Sequence, residues 1–120
     1  MLPKVITLKT AIRQWGNLAA LVAGLAQGDY DLISRSMEDF IVEPVRKSLI
    51  PKFDEVKAAS ITAGALGGGI SGSGPSMFML SETLGIAETV KNAMRHVYAE
   101  TEIEFNTYVS KISPGGVRFV

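Results

Sequence analysis

Apolar residues recur at spacings of three and four over residues 8–27, where Trp15, Leu18, Val22 and Leu25 fall on one face of a predicted helix. Gly28 is a natural stop, and Asp29 can cap a second helix that carries Leu32, Ile33, Met37 and Phe40 to about residue 41. Pro44 lacks a backbone donor and disfavours helix before it, so residues 42–50 read as a connector. A third helix is expected from near Pro51, with Phe53, Val56, Ala59 and Ala63 as its stripe and Gly64 as its end. Residues 65–70 read as a small-residue strand. Residues 76–81 hold the wholly apolar run Met77-Phe78-Met79-Leu80, as a buried strand would. Over residues 85–99 a helix is predicted from Ala87, Val90, Met94 and Val97. Residues 103–112 alternate with the period of a strand, although neither face is purely apolar. Pro114-Gly115-Gly116 is a turn into a last strand, 117–120. Three helices, two strands, a helix and two strands predict an α+β fold. Its sheet would be four-stranded and antiparallel, with helices mainly on one face, including 8–27 and 85–99.

Composition narrows the function classes. A chain of 120 residues suits one domain, and 47% hydrophobic residues can bury enough surface to offset the entropy of ordering. Twelve basic residues balance twelve acidic ones. No basic excess argues for nucleic acid, and no polybasic block argues for an anionic membrane. The longest apolar stretch, 18–26, is too short to span a bilayer, and the opening residues do not read as a signal peptide. The absence of cysteine rules out disulfides and thiolate metal sites and fits a reducing cytoplasm.

The densest local signal is glycine. Six of the eleven residues in 64–74 are glycine, which costs backbone entropy on folding. Gly67-Gly68-Gly69-Ile70-Ser71-Gly72 fits a dinucleotide fingerprint literally, but a strand follows it where that motif needs a helix amino terminus. A Walker-type phosphate loop needs a closing lysine, and none occurs between Lys57 and Lys91. What remains is a hairpin loop. Its glycines either shape a tight turn with no ligand or expose successive amides that can hold an anion.

Ser71-Gly72-Ser73-Gly74-Pro75-Ser76 resembles the third signature motif of the GHMP small-molecule kinases. With Gly69 and Ile70 before it, it is most like the version in homoserine kinases. A second segment, Ile41-Val42-Glu43-Pro44-Val45-Arg46 followed by Leu49-Ile50-Pro51, resembles the connector between two helices of those enzymes. Phe53, Val56 and Ala59, then Ala63-Gly64-Ala65, and finally Gly115-Gly116-Val117-Arg118, continue the likeness in register over nearly the whole chain. The resemblance implies a ferredoxin-like carboxyl-terminal domain over residues 1–120. It also implies transfer of the γ-phosphoryl group of ATP to the side-chain hydroxyl of L-homoserine, giving O-phospho-L-homoserine for threonine synthesis, with Mg2+ accompanying the ATP.

Other family features have no counterpart here. The Gly-Leu-Gly-Ser-Ser-type phosphate loop and the first motif, both of the amino-terminal domain, are not found. Nor is the arginine that usually precedes the Leu-Pro pair, here Leu2-Pro3. The expectation is a carboxyl-terminal piece that is inactive alone, binds neither ATP nor Mg2+ by itself, and meets its amino-terminal GHMP domain as partner. Apolar surface left for that domain could also drive self-association into a homo-oligomer. The alternative is a stand-alone regulatory or amino-acid-binding domain on the same scaffold. An upstream reading frame with a Gly-Ser-Ser phosphate loop would separate the two.

Among individual residues, the resemblance assigns Arg46 to the homoserine carboxylate, which a planar guanidinium can hold with two parallel bonds. Without it, Arg46 would read as a surface arginine on a connector. The resemblance puts Ser71, Gly72, Ser73 and Gly74 beside the transferred phosphoryl group, with Gly72 also at the substrate. No residue is assigned as catalytic acid or base, and none as a metal ligand. Asp29, Asp31, Glu38 and Asp39 read as caps and solvated residues, Glu43 as a solvated carboxylate or, as the alternative, one that orients the Arg46 guanidinium, His96 as a helix-end surface residue and Trp15 as core.

Overall fold

The computed structural model describes residues 2–116. Helix α1 (Leu8–Gln27) starts at Thr7, whose hydroxyl accepts from the Thr10 amide at 3.2 Å, and ends at Gly28, which is left-handed at φ 67°. Helix α2 (Tyr30–Ser36) is capped by Asp29, whose carboxylate accepts from the Leu32 amide at 2.9 Å. The two helices approach closely at Gly24. Ala11 and Gly24 are the buried positions of α1, and a Cβ on Gly24 would lie only 3.0 Å from Ile33 Cγ1. The larger apolar stripe faces outward: Trp15 is 61% exposed, and Leu18 and Val22 are 60% exposed. Trp15 is therefore not core. Periodicity identifies an apolar face, but the close approach to α2 is made at Gly24 instead.

Pro44 does not break the chain into a plain connector. It sits in the first turn of α3 (Glu43–Arg46), where the missing donor is not needed, and a 3-10 turn (Lys47–Leu49) follows. Helix α4 (Phe53–Thr62) packs its buried Phe53, Val56 and Ser60 toward α5 (Leu84–Ala99), whose buried residue is Val90. Thr83 caps α5. Strands β1 (Gly67–Ile70) and β2 (Met77–Leu80) form an antiparallel hairpin with Gly67 opposite Leu80 and Ile70 opposite Met77. No helix among the described residues is long and apolar enough to cross a membrane.

The expected four-stranded sheet is corrected. Among the described residues the sheet has two strands, in the order β1-β2. Residues 103–112 lie in no strand, because no backbone hydrogen bond joins them to the hairpin. Side-chain alternation alone does not make a strand without a neighbour to pair with. The expected strand 117–120 lies outside the described residues. The ferredoxin-like plan is thus seen only as an α+β unit with a hairpin. Tyr98, in the last turn of α5, donates its hydroxyl to the Pro51 carbonyl at 2.9 Å and meets the Phe105 ring at 5.4 Å. Burial raises the pKa of its hydroxyl above its ordinary value near 10.

Candidate functional site

The site is built where α3 meets the loop between β1 and β2. Asp39 organises the entry to α3: its Oδ1 accepts from the Ile41 and Val42 amides at 2.8 and 2.9 Å, and its Oδ2 from the Glu43 amide at 3.2 Å. That fixes where the turn begins and so where Arg46 leaves it. Across the gap, the Ser71 amide donates to the Ser76 carbonyl at 2.8 Å and the Gly74 amide to the Ser71 carbonyl at 3.1 Å, closing the loop on itself. Gly72 and Gly74 take positive φ angles of 61° and 79°, and the Gly74–Pro75 peptide is cis.

Arg46 joins the two parts. Its Nη1 donates to the Ser73 carbonyl at 3.0 Å, so a guanidinium and the glycine-serine loop share one corner of the molecule. Among the described residues, the Gly72 and Ser73 amides donate to no protein acceptor, and both residues are exposed. Arg46 Nε is buried and has no partner there. One cation and two free amides gathered on a loop can hold a carboxylate or phosphoryl oxygens.

Behind Arg46 lies a pair that the sequence did not announce. Lys57 Nζ donates to Glu43 Oε1 at 2.5 Å, and the two side chains are only 22% and 13% exposed. Glu43 is therefore not a solvated carboxylate. Its Oε2 is buried without a partner among the described residues, against Gly69, where an added Cβ would lie 3.0 Å away. The pair ties α3 to α4. Replacing Lys57 with methionine leaves a mostly buried carboxylate uncompensated. We expect a loss of about 1–3 kcal/mol of stability in urea titration, below the roughly 3–5 kcal/mol of a fully buried pair. No loss would mean that the carboxylate is solvated after all. His96 is exposed at the end of α5, away from this corner.

Comparison with known families decides what kind of domain this is. Residues 17–100 match the family model described as GHMP kinases C terminal. The chain belongs to this family. The homoserine kinase of Chloroherpeton thalassium is 48% identical over 121 residues, covering 100% of this chain and 38% of that protein. The homoserine kinase of Chlorobaculum tepidum is 47% identical over 122 residues, with the same shares. The crystal structure of homoserine kinase from Cytophaga hutchinsonii superposes with a TM-score of 0.90 at 51% identity, over 92% of this chain and 35% of that one. The GHMP domain thus spans about 38% of the length of the curated relatives it matches. Its family accounts for the α+β architecture.

Proposed function

We propose that these residues are the homoserine-side domain of an ATP-dependent homoserine kinase. The parent enzyme would phosphorylate the side-chain hydroxyl of L-homoserine to O-phospho-L-homoserine, in the cytoplasm, on the route to threonine. The observation that carries this reading is the bond from Arg46 to the Ser73 carbonyl beside the free Gly72 and Ser73 amides. It stands in a chain matched over its whole length by homoserine kinases.

In this reading Arg46 grips the carboxylate of homoserine, with Gly72 beside it. The backbone of Ser71, Gly72, Ser73 and Gly74 faces the negative charge that spreads over the phosphoryl oxygens during transfer. The substrate's hydroxyl oxygen forms a bond to the γ-phosphorus. The bond from that phosphorus to the bridging oxygen breaks, ADP leaves with the electron pair, and the hydroxyl proton is released to solvent. ATP and Mg2+ serve the intact enzyme. Among the described residues no three His, Cys, Asp or Glu side chains gather to hold a metal. The principal phosphate cradle belongs to an amino-terminal domain outside residues 1–120. The exposed apolar face of α1 is available to that domain or to a second copy of the chain.

The test is product identification with the full-length protein, ATP and a panel of hydroxyl acceptors. Phosphorus NMR should place the new phosphate on the homoserine side-chain oxygen. Preferred turnover of a sugar or of mevalonate would contradict the assignment.

A further inference from the structure

Two buried side-chain atoms of α3 lack a hydrogen-bond partner among the described residues, and they are complementary. Glu43 Oε2 is an acceptor and Arg46 Nε a donor. The other such atoms there are the hydroxyl oxygens of Ser81 and Thr107. Glu43 opens the single turn of α3 and Arg46 closes it, a spacing of three that puts both side chains on one face. Both reach the same hairpin. Glu43 Oε2 lies against Gly69 of β1, where an added Cβ would come within 3.0 Å, and Arg46 Nη1 donates to the Ser73 carbonyl at 3.0 Å. Lys57 Nζ holds the other carboxylate oxygen, Oε1, at 2.5 Å, so the carboxylate is fixed from α4. A buried donor and a buried acceptor are costly to leave apart, and more so when each belongs to a charged group.

We propose that Glu43 is a positioning residue for Arg46: its Oε2 accepts from Nε–H, and this bond sets the direction in which the guanidinium meets the substrate carboxylate. A guanidinium carries five N–H bonds in one rigid plane. With Nε–H on Glu43 and one Nη1 proton on Ser73, the second Nη1 proton and those of Nη2 remain. Nη1 and Nη2 together form a fork that fits a carboxylate. Lys57, Glu43 and Arg46 bring two positive charges and one negative, so one substrate carboxylate neutralises the group. Glu43 itself does not touch the substrate. This inference rests on the proposed role of Arg46 and adds to it a residue that acts only through it.

The test is steady-state kinetics on the full-length enzyme carrying Glu43→Gln, Arg46→Ala or both. Glutamine has the shape of glutamate and fits beside Gly69. In Glu43→Gln, kcat/KM for homoserine should fall about 10- to 100-fold, the range for losing a hydrogen bond to a charged group, mostly through KM and with the ATP KM unchanged. In the Arg46→Ala background the same change should cost less than about 3-fold, since nothing is left to position. Turnover of aminopropanol, which has no carboxylate to aim at, should be little altered. A general weakening of the fold would strike both substrates and both backgrounds alike. In the unaltered protein the Arg46 Nε–H should exchange with water at least about 10-fold more slowly than that of an exposed arginine. Arg46→Ala without effect on homoserine would remove the proposed site, and this role with it. With the Arg46→Ala loss in place, three results would each overturn the positioning role alone. These are Glu43→Gln at wild-type kcat/KM, equal Glu43→Gln losses in both backgrounds, and a fast-exchanging Nε–H.

Discussion

Arg46→Ala in the full-length enzyme is expected to cut kcat/KM for homoserine by tens to thousands of fold while leaving the KM for ATP nearly unchanged. Arg46 lies at the end of α3, held to the Ser73 carbonyl at 3.0 Å, with the loop amides of Gly72 and Ser73 beside it. A charge-assisted pair with a desolvated carboxylate is worth roughly 2–5 kcal/mol, which sets the size of the loss. Arg46→Lys should recover only part of it, because an ammonium keeps the charge and loses the fork. A carboxylate-free analogue, aminopropanol, sharpens the test. The wild-type enzyme should use it poorly, and Arg46→Ala should cost little further with it, since there is no carboxylate left to grip. A variant that changed chiefly its ATP KM, or that lost as much on aminopropanol as on homoserine, would remove Arg46 from the substrate site.

The second large effect is on stability. Gly68→Ala is expected to destabilise the protein by on the order of 3 kcal/mol or more, a large share of a typical domain's 5–15 kcal/mol. Gly68 is buried in β1, and a Cβ there would overlap the carbonyl oxygen of Phe78 and crowd the Met79 sulfur. The obstacle is partner-strand backbone, which cannot swing aside as a side chain can. Gly72→Ala makes the contrast: nothing lies within 4 Å of its Cβ, and the cost is confined to its positive φ. Urea denaturation of the two variants should show Gly68→Ala far the worse. Equal midpoints would mean that the hairpin backbones do not approach so closely.

Much of this architecture was legible because its signals are local. Helix α1 was bounded at 8–27 by its period and Gly28, and α5 at 85–99, one residue short of its start at Leu84. Asp29 caps α2, and Asp39 accepts from the backbone amides that lead into α3, as short acidic side chains do. The misreadings share a cause. The stripe through Trp15 and Val22 says that a face is apolar, not what covers it, and within this chain the close contact with α2 is made by Gly24. Residues 103–112 carry a strand's alternation, but a ladder needs a neighbouring strand, and none of the described residues supplies one. Pro44 reads as a break from sequence alone, yet a proline in a first helical turn costs nothing. At the site, motif spacing separates Arg46 from Ser73 by 27 residues, and only the fold joins them by a hydrogen bond. The Glu43–Lys57 pair left no sequence cue, because two residues 14 apart on different helices meet only after α3 and α4 pack.

In the proposed reading labour is divided, with homoserine gripped by these residues and ATP gripped elsewhere. Calorimetric titration with Mg-ATP tests it most directly, run in parallel on the 120-residue chain and on the full-length protein. Catalysis of phosphoryl transfer requires nucleotide, metal and acceptor to be held together, and in the proposed reading the phosphate cradle lies outside this chain. The full-length protein should bind Mg-ATP with measurable heat, and the 120-residue chain should give little. Micromolar binding by the 120 residues alone would contradict the account and move the nucleotide site onto this domain.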